Sequence, residues 1–120
     1  MIVYRTGALT RDNFTPRPGR DTQSRPGQEP GLSTFQSLEA GSARKAQKLD
    51  LARLKPPLQG FPDDPALGGT PGHVSIAPAD AAGKVDQTLL DKWAAARGME
   101  QTHPLTQIVL DAVIETDVRS

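Results

Sequence analysis

Gly72-His73-Val74-Ser75-Ile76-Ala77-Pro78-Ala79, a little past the middle of the chain, decides how the rest is read. β-Branched Val74 and Ile76 alternate with His73 and Ser75, the period of two of a strand with one apolar and one hydrogen-bonding face. Pro78 has no N–H to give to a ladder and marks the strand's end. The polar face sets an imidazole and a hydroxyl side by side, the floor of a polar cleft. The competing reading is a half-exposed strand with a solvated histidine.

Two more strands are expected before this one. In Met1-Ile2-Val3-Tyr4-Arg5-Thr6-Gly7, Ile2, Val3 and Tyr4 favour the pleated state and Gly7 marks the exit. Tyr4 and Arg5 leave opposite faces; with Tyr4 packed inward, Arg5 offers a guanidinium fork suited to phosphate or carboxylate. Gly31-Leu32-Ser33-Thr34-Phe35 puts Ser33 and Phe35 on one face and Leu32 and Thr34 on the other, with two adjacent hydroxyls just after a glycine. Between these strands, from Leu9 to Pro30, dense prolines exclude helix and central strand. Arg11, Arg17, Arg20 and Arg25 make this loop either a basic lip over a phosphate-bearing ligand or a solvated, mobile connection.

The remaining stretches are assigned by periodicity. Gln36–Leu54 reads as helix, with Leu38, Ala43, Ala46 and Leu49 near one stripe, Ser42 as N-cap beside Gly41, and Lys55-Pro56-Pro57 as the stop. Arg44, Lys45, Lys48 and Arg53 fall largely off that stripe, as a solvated helix face would have them. Gln59–Gly72 reads as a second loop. Its adjacent Asp63 and Asp64 lack the spaced oxygen ligands that a hard cation needs, and no metal site is expected. Ala79–Arg97 gives the clearest helical pattern, with Val85, Leu89, Trp93 and Ala96 on one face and Gly98 as the C′ residue. Trp93 is expected in the core. After the turn at Gln101–Pro104, Leu105–Glu115 is rich in β-branched residues and has no obvious cap; one or two strands are expected, with helical spacing as the competing fit.

Composition bounds the function. At 120 residues the chain is expected to form a single domain over 1–120. Fourteen basic residues balance fourteen acidic ones, without the positive excess that a nucleic-acid backbone binder usually carries. The absence of cysteine excludes disulfides, thiolate catalysis and cysteine-type zinc sites. Neither a basic segment leading into an apolar leader nor a run of roughly 20 apolar residues is present, so a soluble, cytoplasmic protein without membrane contact is expected.

In order, Val3-Tyr4-Arg5, then Gly31-Leu32-Ser33-Thr34-Phe35, then His73-Val74-Ser75-Ile76-Ala77-Pro78-Ala79 followed by a helix, resemble the small ADP-ribosyltransferase-like toxins of the type VI secretion effector family. The three segments span about two-thirds of the chain. The resemblance implies an α+β fold, a split, mostly antiparallel β-core with flanking helices and a cleft for NAD as substrate. It implies a bacterial toxin acting in a target cell's cytoplasm on an unidentified macromolecule and neutralised by an immunity protein or antitoxin. Arg5, with Tyr4 beside it, would hold the pyrophosphate, Ser33 and Thr34 would orient the nicotinamide ribose, and His73 would hydrogen-bond ribose. Cleaving the glycosidic bond to nicotinamide passes through an oxocarbenium-like state and asks for a carboxylate near the anomeric carbon; Glu115 is the candidate.

Two other function classes stand beside this one. The same fold used as a non-enzymatic protein-binding module fits the absence of a Gln/Glu-x-Glu signature, and a ribonuclease-type toxin would use His73 and His103 as its histidine pair.

Overall fold

A computed structural model of the chain describes residues 1–38 and 44–119. Strands β1 (Ile2–Thr6), β2 (Leu32–Phe35), β3 (Ala46–Asp50), β4 (Leu58–Pro62), β5 (His73–Pro78) and β6 (Val113–Val118) form one antiparallel sheet in the order β4-β5-β2-β1-β3-β6. Two helices, α1 (Gln87–Ala95) and α2 (Pro104–Asp111), complete a compact α+β globule. Among the described residues no helix is long and apolar enough to cross a membrane.

Alternation along the strands builds the core. Val3, Leu32, Leu49, Val74 and Ile76 are buried and meet Leu90 and Trp93 of α1, Leu105 and Val109 of α2, and Phe14 from the long first loop. That loop is therefore not simply a solvated lip. Trp93 Nε1 donates to Thr106 Oγ1 at 2.9 Å, the Thr106 and Thr15 hydroxyls lie 2.8 Å apart, and Thr15 Oγ1 donates to Arg11 O at 2.7 Å. Every polar atom of this buried chain has a partner, which is what lets Thr15 and Thr106 sit inside the core.

The strand that opened the sequence reading is buried along its whole length, so the half-exposed alternative fails. One face of β5 meets the core. The other is roofed by the end of the first loop, where Ser75 Oγ donates to Glu29 O at 2.8 Å. Gly31 allows this approach: a Cβ there would lie 2.5 Å from Ile76 O, and its φ of 148° lies where side chains are strained.

The sheet has a seam. β1 pairs with β3 over five residues, and β2 with β5 over four. Between β1 and β2 the register has one pair, Tyr4 with Phe35, so the sheet is two three-stranded halves joined at a point.

Four assignments made from periodicity are corrected. Residues 46–50, expected as helix, are strand β3, followed by a short 3-10 turn at Leu51–Arg53 capped by Asp50. Ala46, Gln47 and Leu49 are good helix formers, but β3 lies between β1 and β6, and pairing on both edges outweighs propensity. The proposed start at Gly41 and Ser42 lies outside the described residues. The second loop is shorter than expected, because Gln59–Pro62 belong to β4.

The helix expected from Ala79 begins only at Gln87, where Asp86 accepts from Leu89 N. Before it, Asp80 Oδ1 accepts from the backbone of both Ala82 and Lys84 and closes a turn bridged by Ala79 and Val85. In Leu105–Glu115 the helical spacing wins as far as Asp111, and the strand follows as β6. The cap passed over in the sequence is His103, whose Nδ1 accepts from Leu105 N at 3.1 Å, with Pro104 at the first helical position.

Candidate functional site

Strand pairing brings the central candidates together. Ser33 lies opposite Ser75 and Phe35 opposite His73, so Ser33 and His73 are diagonal neighbours on one face of the β2–β5 pair. Their polar atoms meet, with Ser33 Oγ 2.5 Å from His73 Nε2. The other ring nitrogen, Nδ1, lies 2.8 Å from Asp63 Oδ1. Asp63 follows β4 in the β4–β5 hairpin, its side chain is 1% exposed, and its Oδ2 accepts from Thr70 N at 2.9 Å. The ionised carboxylate can only accept, so it suits the neutral tautomer in which Nδ1–H donates to it and the Nε2 lone pair faces the serine hydroxyl.

A second contact steadies this arrangement. Gln28 Nε2 donates to Asp63 Oδ2 at 3.3 Å. Gln28 arrives on a tight turn, bridged by Arg25 and Gln28, that docks on residues 63–69 through Asp64 N to Gly27 O at 2.8 Å. The docking needs glycine: a Cβ on Gly27 would lie 2.4 Å from Gly69 N, and its φ is 72°. Phe35 packs edge-on against the His73 ring, with centroids 5.0 Å apart, and is itself 40% exposed.

Arg5 belongs to the seam. Strand alternation sends it from the face opposite Tyr4, yet it reaches Ser33 because β1 and β2 part beyond Tyr4 and Phe35. Its Nη1 donates to Ser33 O and its Nε to Asn13 O, each at 2.9 Å. Burial lowers the Arg5 pKa to about 10; Asp21 pulls it back up, and Arg17 and Arg97 push it further down. The cation is thus held where water stabilises it poorly and where positive neighbours crowd it.

Two hollows meet at Ser33. One, of about 310 Å³, is lined by Arg5, Arg17, Arg44 and Arg97 together with Asn13, Ser33 and Phe35, with no carboxylate among the described residues that line it. The other, of about 160 Å³, is polar; Ser33, His73, Ser75, Gln28 and Glu29 line it, with Arg17 shared between the two. Asp21 supplies counter-charge, accepting from the Arg17 backbone N at 2.7 Å and from its Nε at 3.4 Å.

The other sequence candidates are not brought here. Glu115 sits on β6 at the far edge. The paired row runs His73, Phe35, Tyr4, Lys48, Glu115, four strand spacings or roughly 19 Å. Its carboxylate is exposed and lies 3.8 Å from Lys48 Nζ. Thr34 is fully buried on the core face and donates its hydroxyl to Val74 O at 2.8 Å, so no ligand reaches it. Tyr4 is half-buried at the seam, on the same face as Ser33. His103 serves as the cap of α2, and burial lowers its pKa.

Asp63, Gln28, Phe35 and Arg97 are not selected from the sequence as site residues, whereas Arg17 is one of the arginines expected in a basic lip. The one available signal was an acid in the hairpin leading to His73, ten positions before it. Among the described residues no acidic or histidine cluster fit for a metal exists, and Asp64 is occupied in capping Ala66 N.

Compared with known proteins, the chain matches no family model, no curated protein and no solved structure.

Proposed function

We propose that this chain binds NAD across the seam and cleaves its bond to nicotinamide, as a toxin resembling the ADP-ribosyltransferase-like type VI effectors. The observation that carries the reading is the arginine-lined hollow opening at Ser33. A pyrophosphate there adds counter-charge for Arg5, Arg17 and Arg97 to that of Asp21, and a planar guanidinium fork suits it. The polar hollow on the other side of Ser33 offers hydroxyl and imidazole contacts for a ribose, and exposed Phe35 offers a ring edge or face to nicotinamide. A seam between two half-sheets is the cleft that a split β-core requires. The role as a toxin, and an immunity protein or antitoxin as partner, follow from the same resemblance.

The geometry does not favour a histidine-pair ribonuclease, because the His103 ring is committed to capping α2. The test is melting with and without NAD, followed by an assay for free nicotinamide. NAD at about 100 times its dissociation constant should add about 2.7 kcal/mol of stability, and Arg5→Ala should abolish the shift. A protein that neither melts higher with NAD nor releases nicotinamide would end this reading and leave the protein-binding one.

A further inference from the structure

The site has a hydroxyl with its own base. Ser33 Oγ, His73 Nε2, His73 Nδ1 and Asp63 Oδ1 form one line of contacts at 2.5 and 2.8 Å. The three parts differ in accessibility in the order a nucleophile, a base and an orienting acid require. Ser33 is half-buried and lines both hollows, His73 is 6% exposed, and the Asp63 side chain is 1% exposed. Thr70 N and Gln28 fix the carboxylate from behind, and Phe35 fixes the ring from the side. Glu115 stands at the opposite edge, whereas Ser33 borders both hollows and has a base within hydrogen-bond reach.

We infer that Ser33 is an activated nucleophile, with His73 as its general base and Asp63 as the residue that positions His73, acting on an electrophilic carbon of an anionic ligand held by the arginines. The identity of that carbon rests on the NAD reading above. In the first step Ser33 Oγ bonds to the anomeric carbon, the bond to nicotinamide breaks with its electron pair going to the ring nitrogen, and the serine proton passes to His73 Nε2. In the second step His73 Nε2 returns its proton to Ser33 Oγ as the bond from serine to the anomeric carbon breaks; the neutral imidazole then takes a proton from the water that bonds to that carbon and releases it to solvent. Nicotinamide, ADP-ribose and one proton are the products.

The nucleophile is tested without NAD. The full chain is treated with phenylmethanesulfonyl fluoride, in which an activated serine displaces fluoride and loses its proton, and the adduct is mapped by mass spectrometry. One adduct at Ser33 is expected. Its rate should fall at least about 10²-fold in His73→Gln and in Asp63→Asn, and stay unchanged in Ser37→Ala, an exposed serine just past β2. In the wild-type protein, nitrogen NMR of the His73 ring should find the proton on Nδ1, and Asp63→Asn should move it to Nε2, which a merely packing role for Asp63 would not do. An unlabelled Ser33 in the wild-type protein, or equal labelling of Ser33 in the His73 variant, overturns the inference even if the Asp63 variant fails to fold. Labelled Ser33 without nicotinamide release would leave the nucleophile standing and remove NAD. Nicotinamide release by Ser33→Ala at the wild-type rate would do the reverse.

Discussion

The two halves of the sheet use buried polar side chains for opposite purposes. In the β1-β3-β6 half, Gln47 is fully buried and spends its amide on structure: Nε2 donates to Gly7 O at 2.9 Å and to Asp117 Oδ1 at 3.0 Å, and Oε1 accepts from Asp117 N at 3.1 Å. These bonds hold Asp117 at a φ of 52°, beside the register shifts of the β3–β6 pair. None of Gln47, Gly7 and Asp117 lines either hollow at Ser33. In the β4-β5-β2 half, Asp63 and His73 are nearly as buried, but their chain of contacts ends on Ser33, which opens to both hollows. Satisfied polar groups rigidify either half; only the second leaves its last atom available.

That contrast can be broken, most severely at the residue joining the halves. Arg5→Ala leaves the Ser33 and Asn13 carbonyls without their donor and empties the seam of its cation. Urea unfolding should show a loss of about 2–4 kcal/mol, and NAD binding should disappear. Arg5→Lys should keep the fold and still lose most of the binding, since it retains charge without the fork. If Arg5→Lys binds NAD normally, the seam is structural only.

Gln47→Ala should then cost about 1–3 kcal/mol by removing a fully buried side chain and leaving the half-buried Gly7 carbonyl and Asp117 without their partner. It should leave labelling of Ser33 unchanged. Equal losses of stability and labelling would mean that the halves do not act separately.

A smaller effect is expected from pH. Burial lowers the pKa of His103, so the folded state favours neutral imidazole, the form in which Nδ1 can accept from Leu105 N. The contribution is full above the unfolded value of about 6.5 and is lost as pH falls through the lower folded value. Melting temperature should drop more steeply below pH 6.5 in the wild-type protein than in His103→Asn, which caps without titrating. Parallel profiles would remove His103 as the cause.

The smallest effect is expected at the far edge. Glu115→Gln should change stability by no more than about 0.5 kcal/mol, as an exposed pair with Lys48 allows. Toxicity or nicotinamide release lost with Glu115 would return that carboxylate to the chemistry.

What the chain determines locally was legible from it. β1, β2 and β5 are read correctly because alternating β-branched residues carry their own preference, and Trp93 is read as core because its face is apolar over successive turns. Ser33, Arg5 and His73 could be singled out because each chemistry-bearing side chain stands on such a strand. Tertiary structure decided the rest. Residues 46–50 are a strand only because β1 and β6 flank them, a condition 40 or more positions away in sequence for Arg5 and Gln47 alike. Glu115 is excluded by strand order, which local pattern does not encode. Asp63 becomes the partner of His73 because the β4–β5 register sets the two opposite, with Asp63 N donating to His73 O at 2.9 Å, and Gln28 joins them because Gly27 and Gly69 let two loops close to backbone contact. A hydrogen bond depends on tenths of an ångström between atoms that such packing brings together, whereas the periodicity of a sequence carries only the direction in which each side chain leaves its own strand.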